Sequence, residues 1–313
     1  MTNFLSITWN SDKGIPLGPI TLHYYSLMFM AAFLLGWFLM KKIFDHEGEN
    51  IEKLDKLFIY SLIGIFLGAR LGHVFFYDWA YFKDHPAEIL IPFQFEPELT
   101  FTGFTGLASH GAAIATIIMV VWYSKKIIHR PVLWVLDRIT IPVAIGGAFV
   151  RIGNFFNSEI LGSETSPALP TAVRFVRGEN WLTDEQAMSI TRQADANTAY
   201  KMIAGNPNFA DTLAKIPFRH PAQLYEASGY IIVFAVLYYM YWKTDSRNKP
   251  GLLFGVFLIL LWSIRFAVEF VKQSQGGFEE QLHVFSTGQW LSIPFILIGF
   301  YLIFKAKEQP KIL

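Results

Sequence analysis

Residues Arg151-Ile-Gly-Asn-Phe-Phe-Asn-Ser-Glu-Ile-Leu-Gly162 close an apolar stretch that begins near Leu133, so a guanidinium, two carboxamides and a carboxylate stand where hydrocarbon is expected. An arginine near the centre of a spanning helix costs about 2.5–3.5 kcal/mol on insertion scales, which makes an ionisable group there a sign of function. The same stretch thus decides the fold and marks where to look for chemistry. Composition agrees. Hydrophobic residues make up 53% of the 313 and charged residues 16%, against about 25% charged in soluble proteins, and the mean hydropathy is +0.34. Seven apolar stretches, near residues 22–40, 57–76, 106–123, 133–155, 222–242, 252–270 and 291–304, approach or reach the about 20 residues that cross a hydrocarbon core about 30 Å thick. The expected fold is an all-α polytopic membrane protein, one transmembrane domain over residues 1–313 with seven transmembrane helices.

Orientation follows from the loops, because basic residues stay cytoplasmic. Lys41, Lys42, Lys53 and Lys56 follow the first span, Lys125, Lys126 and Arg130 the third, Lys243, Arg247 and Lys249 the fifth, and Lys305, Lys307 and Lys311 the seventh. The alternate short loops carry only Lys83 and Lys272. The N-terminus is therefore expected outside and the C-terminus in the cytoplasm, which an odd number of spans satisfies. Residues 163–219, too polar to cross, become a small extracytoplasmic insert between the fourth and fifth spans. The first 20 residues lack the basic, apolar and small-residue succession of a cleavable signal, so the first span is read as a retained anchor. A net charge of +1 gives no reason to expect nucleic acid, and the absence of cysteine excludes disulfides, thiolate metal sites and a cysteine nucleophile.

Placed by depth, the polar residues of the spans gather toward the outer side. Arg70 and His73 come late in the second span, His110 early in the third, and Arg151, Asn154, Asn157 and Glu159 at the end of the fourth. Gln223, Tyr225 and Glu226 open the fifth, Arg265 and Glu269 close the sixth, Gln289 and Ser292 open the seventh, and Tyr24 and Tyr25 enter the first. Simpler readings exist for several of these. Arg151 could snorkel to the interface, Arg265 and Glu269 are four apart and could neutralise each other, and His110 could be a hydrogen-bonded histidine at a tight helix crossing. The tyrosines fit an aromatic belt, and Gly146, Gly147 and Gly153 fit close helix packing. Those readings leave unexplained why Arg70, Arg151, Arg265, His110, Glu159, Glu226 and Glu269 reach similar depth on different helices. Several guanidiniums at one depth suit an anion, and phosphate matches the guanidinium fork. From the residues alone, the chain is a multi-pass protein handling an anionic lipid or solute.

The motif carries a closer resemblance. Arg151, Gly153, Asn154, Phe155, Asn157, Glu159 and Gly162 reproduce the pattern Arg-x-Gly-Asn-Phe-x-Asn-x-Glu-x-x-Gly, and similar elements follow in order: Tyr25-Ser-Leu-Met, Gly68-Ala-Arg70-Leu-Gly72, Ser109-His110-Gly111, Arg219-His220-Pro221-Ala-Gln223-Leu-Tyr225-Glu226, Arg265-Phe-Ala-Val-Glu269 and Gly288-Gln289-Trp-Leu-Ser292. The chain resembles the bacterial phosphatidylglycerol:prolipoprotein diacylglyceryl transferase family over all its spans. It departs from that pattern at Val150, His73 and Ala112, and at Leu261, where a tyrosine is usual, leaving that tyrosine's part to a neighbour such as Trp262.

The resemblance implies transfer of the diacylglyceryl group of phosphatidylglycerol to the lipobox cysteine thiol of a prolipoprotein, the first step of bacterial lipoprotein maturation. It implies His110, Arg151 and Arg265 as catalytic residues, His110 as the base that takes the thiol proton and the arginines as stabilisers of the departing phosphate. It implies Tyr25, Arg70, Asn154, Asn157, Glu159, Gly162, Gln223, Glu226 and Glu269 as substrate-binding positions, with the carboxamides orienting head-group oxygens and the glutamates holding the arginines. No cofactor or metal is called for. The partners implied are phosphatidylglycerol, lipobox signal peptides and membrane lipid, and the place is the bacterial cytoplasmic (inner) membrane, with the site facing the outer leaflet. Two other classes compete. A transporter for an anionic solute predicts polar residues continuing to the cytoplasmic side, where only Asp137 and Arg138 stand, and a non-catalytic scaffold predicts that the charges serve only one another.

Overall fold

The computed structural model describes residues 7–18, 20–95, 98–101, 106–178, 181–273 and 285–307. Among them are nine helices of eight or more residues: α1 Tyr24–Glu47, α2 Ile51–Phe76, α3 Ser109–Tyr123, α4 Val132–Phe156, α5 Asp184–Thr191, α6 Ala196–Gly205, α7 Ala222–Lys243, α8 Leu252–Val268 and α9 Thr287–Lys305. All except α5 and α6 are long and apolar enough to cross a membrane, counting the turns that extend α3 to Ile128 and α8 to Val271. This makes the chain a multi-pass membrane protein, as the hydropathy pattern indicates. Large apolar side chains such as Leu34, Ile117 and Phe304 stay exposed on these helices, as lipid-facing surfaces require.

Where boundaries differ from the apolar stretches, capping explains the difference. Helix α2 begins six residues before Leu57 because the Asn50 side chain accepts from the Glu52 N–H at 2.8 Å and satisfies one of the free donors of the first turn. Helix α9 begins four residues before Leu291 because Ser286 and Gln289 form a capping box. Gly106, with φ +75°, lies in the approach to α3, so that helix starts at Ser109.

By contact the chain clusters into two compact units, residues 1–36 with 140–313, and residues 37–139. In the first unit, α8 crosses α9 where a Cβ on Gly255 would lie 2.9 Å from the Gly299 carbonyl oxygen. Such small-residue contacts let backbones approach where no hydrophobic force joins helices. Residues 163–219 hold β2 Val173–Phe175, α5, α6 and β3 Phe218–Arg219. A strand from the N-terminal segment, β1 Ile7–Trp9, pairs parallel to β2, which pairs antiparallel to β3. Helices α5 and α6 close over Val176, Leu182, Ala187, Tyr200 and Ile203, giving the insert its own small core. Buried Arg177 fastens that core to the N-terminal segment, donating to Asn10 Oδ1 at 2.9 Å, Asp12 Oδ1 at 2.7 Å and Asn197 Oδ1 at 2.6 Å.

In the second unit, α2 crosses α3 at Gly68, Gly72 and Gly111, where a Cβ on Gly111 would sit 2.6 Å from the Gly72 Cα. Buried Arg138 pairs with Glu47 at 2.7 Å. Arg70, near the end of α2, reaches into the segment after it, donating to the carbonyl oxygens of Glu88 at 2.7 Å and Ile89 at 2.8 Å, with its guanidinium 4.7 Å over the Phe82 ring. The Glu88 carboxylate accepts from the Phe95 N–H at 2.9 Å and the Tyr81 hydroxyl at 2.6 Å, and these two bonds, the backbone one foremost, hold its pKa below the usual range.

Candidate active site

The polar motif is built at the end of α4. Arg151 and Asn154 lie one turn apart on the helix, and the chain then leaves it through a turn in which Ser158 and Ile160 both take positive φ, 56° and 55°. That conformation is uncommon away from glycine. Backbone bonds from Asn157 N to Gly153 O, 3.1 Å, and from Glu159 N to Asn154 O, 3.0 Å, wind the turn back on the helix end. This brings the Glu159 carboxylate to the Asn154 Nδ2 at 3.3 Å and the Asn157 Nδ2 at 3.0 Å. The Gln223 carboxamide, from the first turn of α7, donates to the Glu159 carbonyl oxygen.

Gly162 is where three segments meet. Its N–H donates to the His220 carbonyl oxygen at 3.0 Å and it bridges Lys272. A Cβ there would fall 2.6 Å from the His220 Cβ and 2.7 Å from the Val271 carbonyl oxygen, so no side chain fits without moving backbone. The motif's last glycine thus fixes the turn against the ends of α7 and α8.

Beneath that junction lies a chain of ion pairs. The Arg151 guanidinium meets the Glu226 carboxylate of α7. Glu226, 1% exposed, also faces Lys272 at 3.4 Å, and Lys272, 8% exposed, faces Glu269 at 3.4 Å. Arg151 Nη1 further lies 3.5 Å from Asn154 Oδ1, which ties this chain to the Asn154–Glu159 bonds. Tyr25 of α1 covers the same helix end, its ring Cδ2 2.9 Å from a Cβ placed on Gly153. The structure therefore brings together Tyr25, Arg151, Asn154, Asn157, Glu159, Gly162, Gln223, Glu226 and Glu269, all in the first unit. The turn at 157–161 also walls a cavity of about 940 Å³ whose opposite side includes Arg177, Trp181 and Asp184 of the insert segment.

The simpler alternative for Arg265, a neutralising pair with Glu269, does not form. Among the described residues no carboxylate lies within 4 Å of Arg265, and Glu269 pairs instead with Lys272. Its guanidinium lies 5.2 Å over the Trp262 ring, which stacks on Phe295 at 4.2 Å, and its buried Nε has no hydrogen-bond partner among the described residues. Three cations, Arg151, Arg265 and Lys272, thus accompany three carboxylates, Glu159, Glu226 and Glu269, and among the described residues Arg265 is the one of the three without an ion pair. His110 and Arg70 belong to the second unit. His110 is exposed as the second residue of α3, next to the Gly111 crossing, and Arg70 holds the Glu88–Ile89 carbonyls. His73 stacks on Tyr77 with ring centroids 6.0 Å apart.

Known proteins resemble this chain over nearly its whole length. The family model for prolipoprotein diacylglyceryl transferase matches residues 14–305. The chain belongs to this family. A phosphatidylglycerol--prolipoprotein diacylglyceryl transferase of Chloroherpeton thalassium is 36% identical over 309 residues, 98% of this chain and 96% of that protein. Proteins of the same name from Tolumonas auensis, covering 97% of this chain and 99% of that protein, and from Porphyromonas gingivalis, covering 97% and 96%, are also 36% identical. Two residues beside these charges are not singled out by the sequence alone. Lys272 was counted as a loop charge, although a lone basic residue three after Glu269 in an otherwise cation-poor loop is a usable signal. Tyr230, one turn after Glu226, was hidden in a span rich in aromatic residues.

Proposed function

We propose that this chain transfers the diacylglyceryl group of phosphatidylglycerol to the thiol of a lipobox cysteine, forming a thioether and releasing glycerol phosphate. The thiolate sulfur attacks the glycerol carbon that bears the phosphate, the C–O bond breaks, and its electron pair leaves on the phosphate oxygen. A thiol of pKa about 8.5 is mostly protonated at neutral pH, so a ring nitrogen of His110 takes its proton. Arg151 and Arg265 bind the diester and meet the charge that grows on the leaving oxygen, an interaction worth most where water is excluded. Glu226 and Lys272 hold Arg151 in its rotamer. Asn154, Asn157 and Gln223 orient head-group oxygens beside Glu159, with Tyr25 and Gly162 shaping the same wall and Arg70 a further cationic contact. The basic loops support a site on the outer leaflet of the cytoplasmic membrane, with residues 163–219 outside.

The observation that carries this reading is the buried Arg151–Glu226–Lys272–Glu269 chain in the same unit as an Arg265 without a carboxylate among the described residues. An arginine held beside an ion-pair chain but lacking an acid of its own is what a phosphodiester needs. The test is mass-shift detection on a lipobox peptide incubated with purified protein and phosphatidylglycerol, comparing wild type with Arg151→Ala at matched folded amounts. A diacylglyceryl adduct on the peptide cysteine, lost in the variant, is the expected result. No adduct from folded wild type that binds both lipid and peptide would refute the transferase reading in favour of transport or scaffolding.

A further inference from the structure

Helices α4 and α7 meet at two rungs one turn apart. At one, Arg151 pairs with Glu226; at the other, the Tyr230 ring lies over Gly147, its Cδ2 3.1 Å from a Cβ placed there. Tyr230 is 4% exposed and packs with Ala148 and Ala227 against Leu261 and Ile264 of α8, the helix that carries Arg265. A helical side chain leans toward its helix's N-terminus, so the phenol reaches up toward the Arg151–Glu226 rung. That rung carries the Arg151 guanidinium and the Glu226 carboxylate, and Arg265 stands one turn beyond Leu261 on the packed α8 helix, so these three charges surround the phenol.

A guanidinium can only donate. Facing Arg151, the phenol oxygen must therefore accept, and its single proton points elsewhere. Among the described residues no hydrogen bond runs from the phenol to a carbonyl or carboxylate; Glu226, held by Arg151 and Lys272, lies one turn away on the same helix. We infer that Tyr230 is a catalytic hydrogen-bond donor to the anionic phosphodiester held between Arg151 and Arg265. Arg151 orients the phenol, and the O–H meets a phosphoryl oxygen whose charge rises as the C–O bond breaks. The role rests on the transferase reading above. It also gives the apolar Leu261 a neighbour that supplies a hydroxyl from one helix over.

The experiment uses the full chain in phosphatidylglycerol-containing nanodiscs, with lipobox peptide as acceptor. Tyr230→Phe keeps the ring over Gly147 and removes only the hydroxyl. Losing one donor to developing charge lowers kcat by about 100-fold, with KM for the lipid and the melting temperature held near wild type. In that background Leu261→Tyr, which packs against the same ring, returns at least a tenfold part of the loss. Turnover of Tyr230→Phe within twofold of wild type overturns the role, as does a loss confined to KM, a loss matched by a lower melting temperature, or a loss that Leu261→Tyr leaves untouched. An inactive, folded wild type refutes the transferase reading itself and takes this role with it.

Discussion

Replacing Glu226 by Gln isolates what the ion-pair chain contributes. The side chain keeps its size but loses the charge that faces both Arg151 and Lys272. At 3.4 Å, a unit pair at an effective dielectric of about 20 attracts by about 5 kcal/mol before desolvation is subtracted. Removing one member of a buried pair costs about 3–5 kcal/mol, because the partner is left charged and dry. Here two cations are left, so the expected loss is at least about 3 kcal/mol, a fall of about 6 °C in melting temperature at roughly 2 °C per kcal/mol for a chain of this size. Thermal unfolding in one detergent, followed by tryptophan fluorescence, measures it. The double variant Glu226→Gln with Lys272→Met removes the stranded ammonium, and should recover about 0.5–3 kcal/mol relative to the sum of the single changes. Strict additivity, or a Glu226→Gln variant as stable as wild type, would refute the idea that this carboxylate is needed to hold buried cations.

Three other expectations follow from the same geometry. Gly162→Ala places a methyl 2.6 Å from the His220 Cβ, so it should shift the turn that carries Glu159; adduct formation should fall by tenfold or more while far-ultraviolet circular dichroism keeps its helical signal. Arg265→Lys keeps the charge but loses the planar fork that meets a phosphate bidentately, and kcat/KM should fall about 10- to 100-fold, measured by initial rates over a phosphatidylglycerol series. Glu88 has a depressed pKa, so the stability it contributes is full above its unfolded value of about 4.3 and lost as pH drops through the lower folded value; hydrogen exchange of residues 79–95 should rise steeply below about pH 4, and Glu88→Gln should show fast exchange across the range with no such step.

The membrane helices were legible because hydrocarbon imposes a length and a composition, and every span follows from those two. Their ends were less so, since Asn50 and Ser286 start helices several residues before the apolar stretch and capping is decided by a single side chain. The motif from Arg151 to Gly162 announced itself because charge in an apolar run is costly. What stayed hidden depends on which residue meets which. Spacing four apart suggested Arg265 with Glu269, but the chain leaves the α8 helix after Val268, and the tightened turn at Glu269–Val271 presents Lys272 to that carboxylate instead. The insert could not be read because its sheet borrows Ile7–Trp9 from far away in sequence, a pairing no local pattern announces.

The charges of the site also explain how it can be stable before any lipid arrives. Three guanidinium or ammonium groups buried alone would cost several kcal/mol each. Three carboxylates offset them, yet not one for one, because Glu226 serves both Arg151 and Lys272, Lys272 is shared with Glu269, and Glu159 is spent on the carboxamides of Asn154 and Asn157. That sharing leaves Arg265 resting on the Trp262 ring, a cation–π contact worth about 0.5–2 kcal/mol, weaker than a buried bidentate salt bridge. A bound phosphodiester would exchange that weak contact for a strong one without dismantling the Arg151–Glu226 pair. On the proposed role of Arg265, binding energy is then available for the leaving phosphate, where charge grows, because the resting site neutralises Arg151 and Lys272 and leaves Arg265 for the ligand.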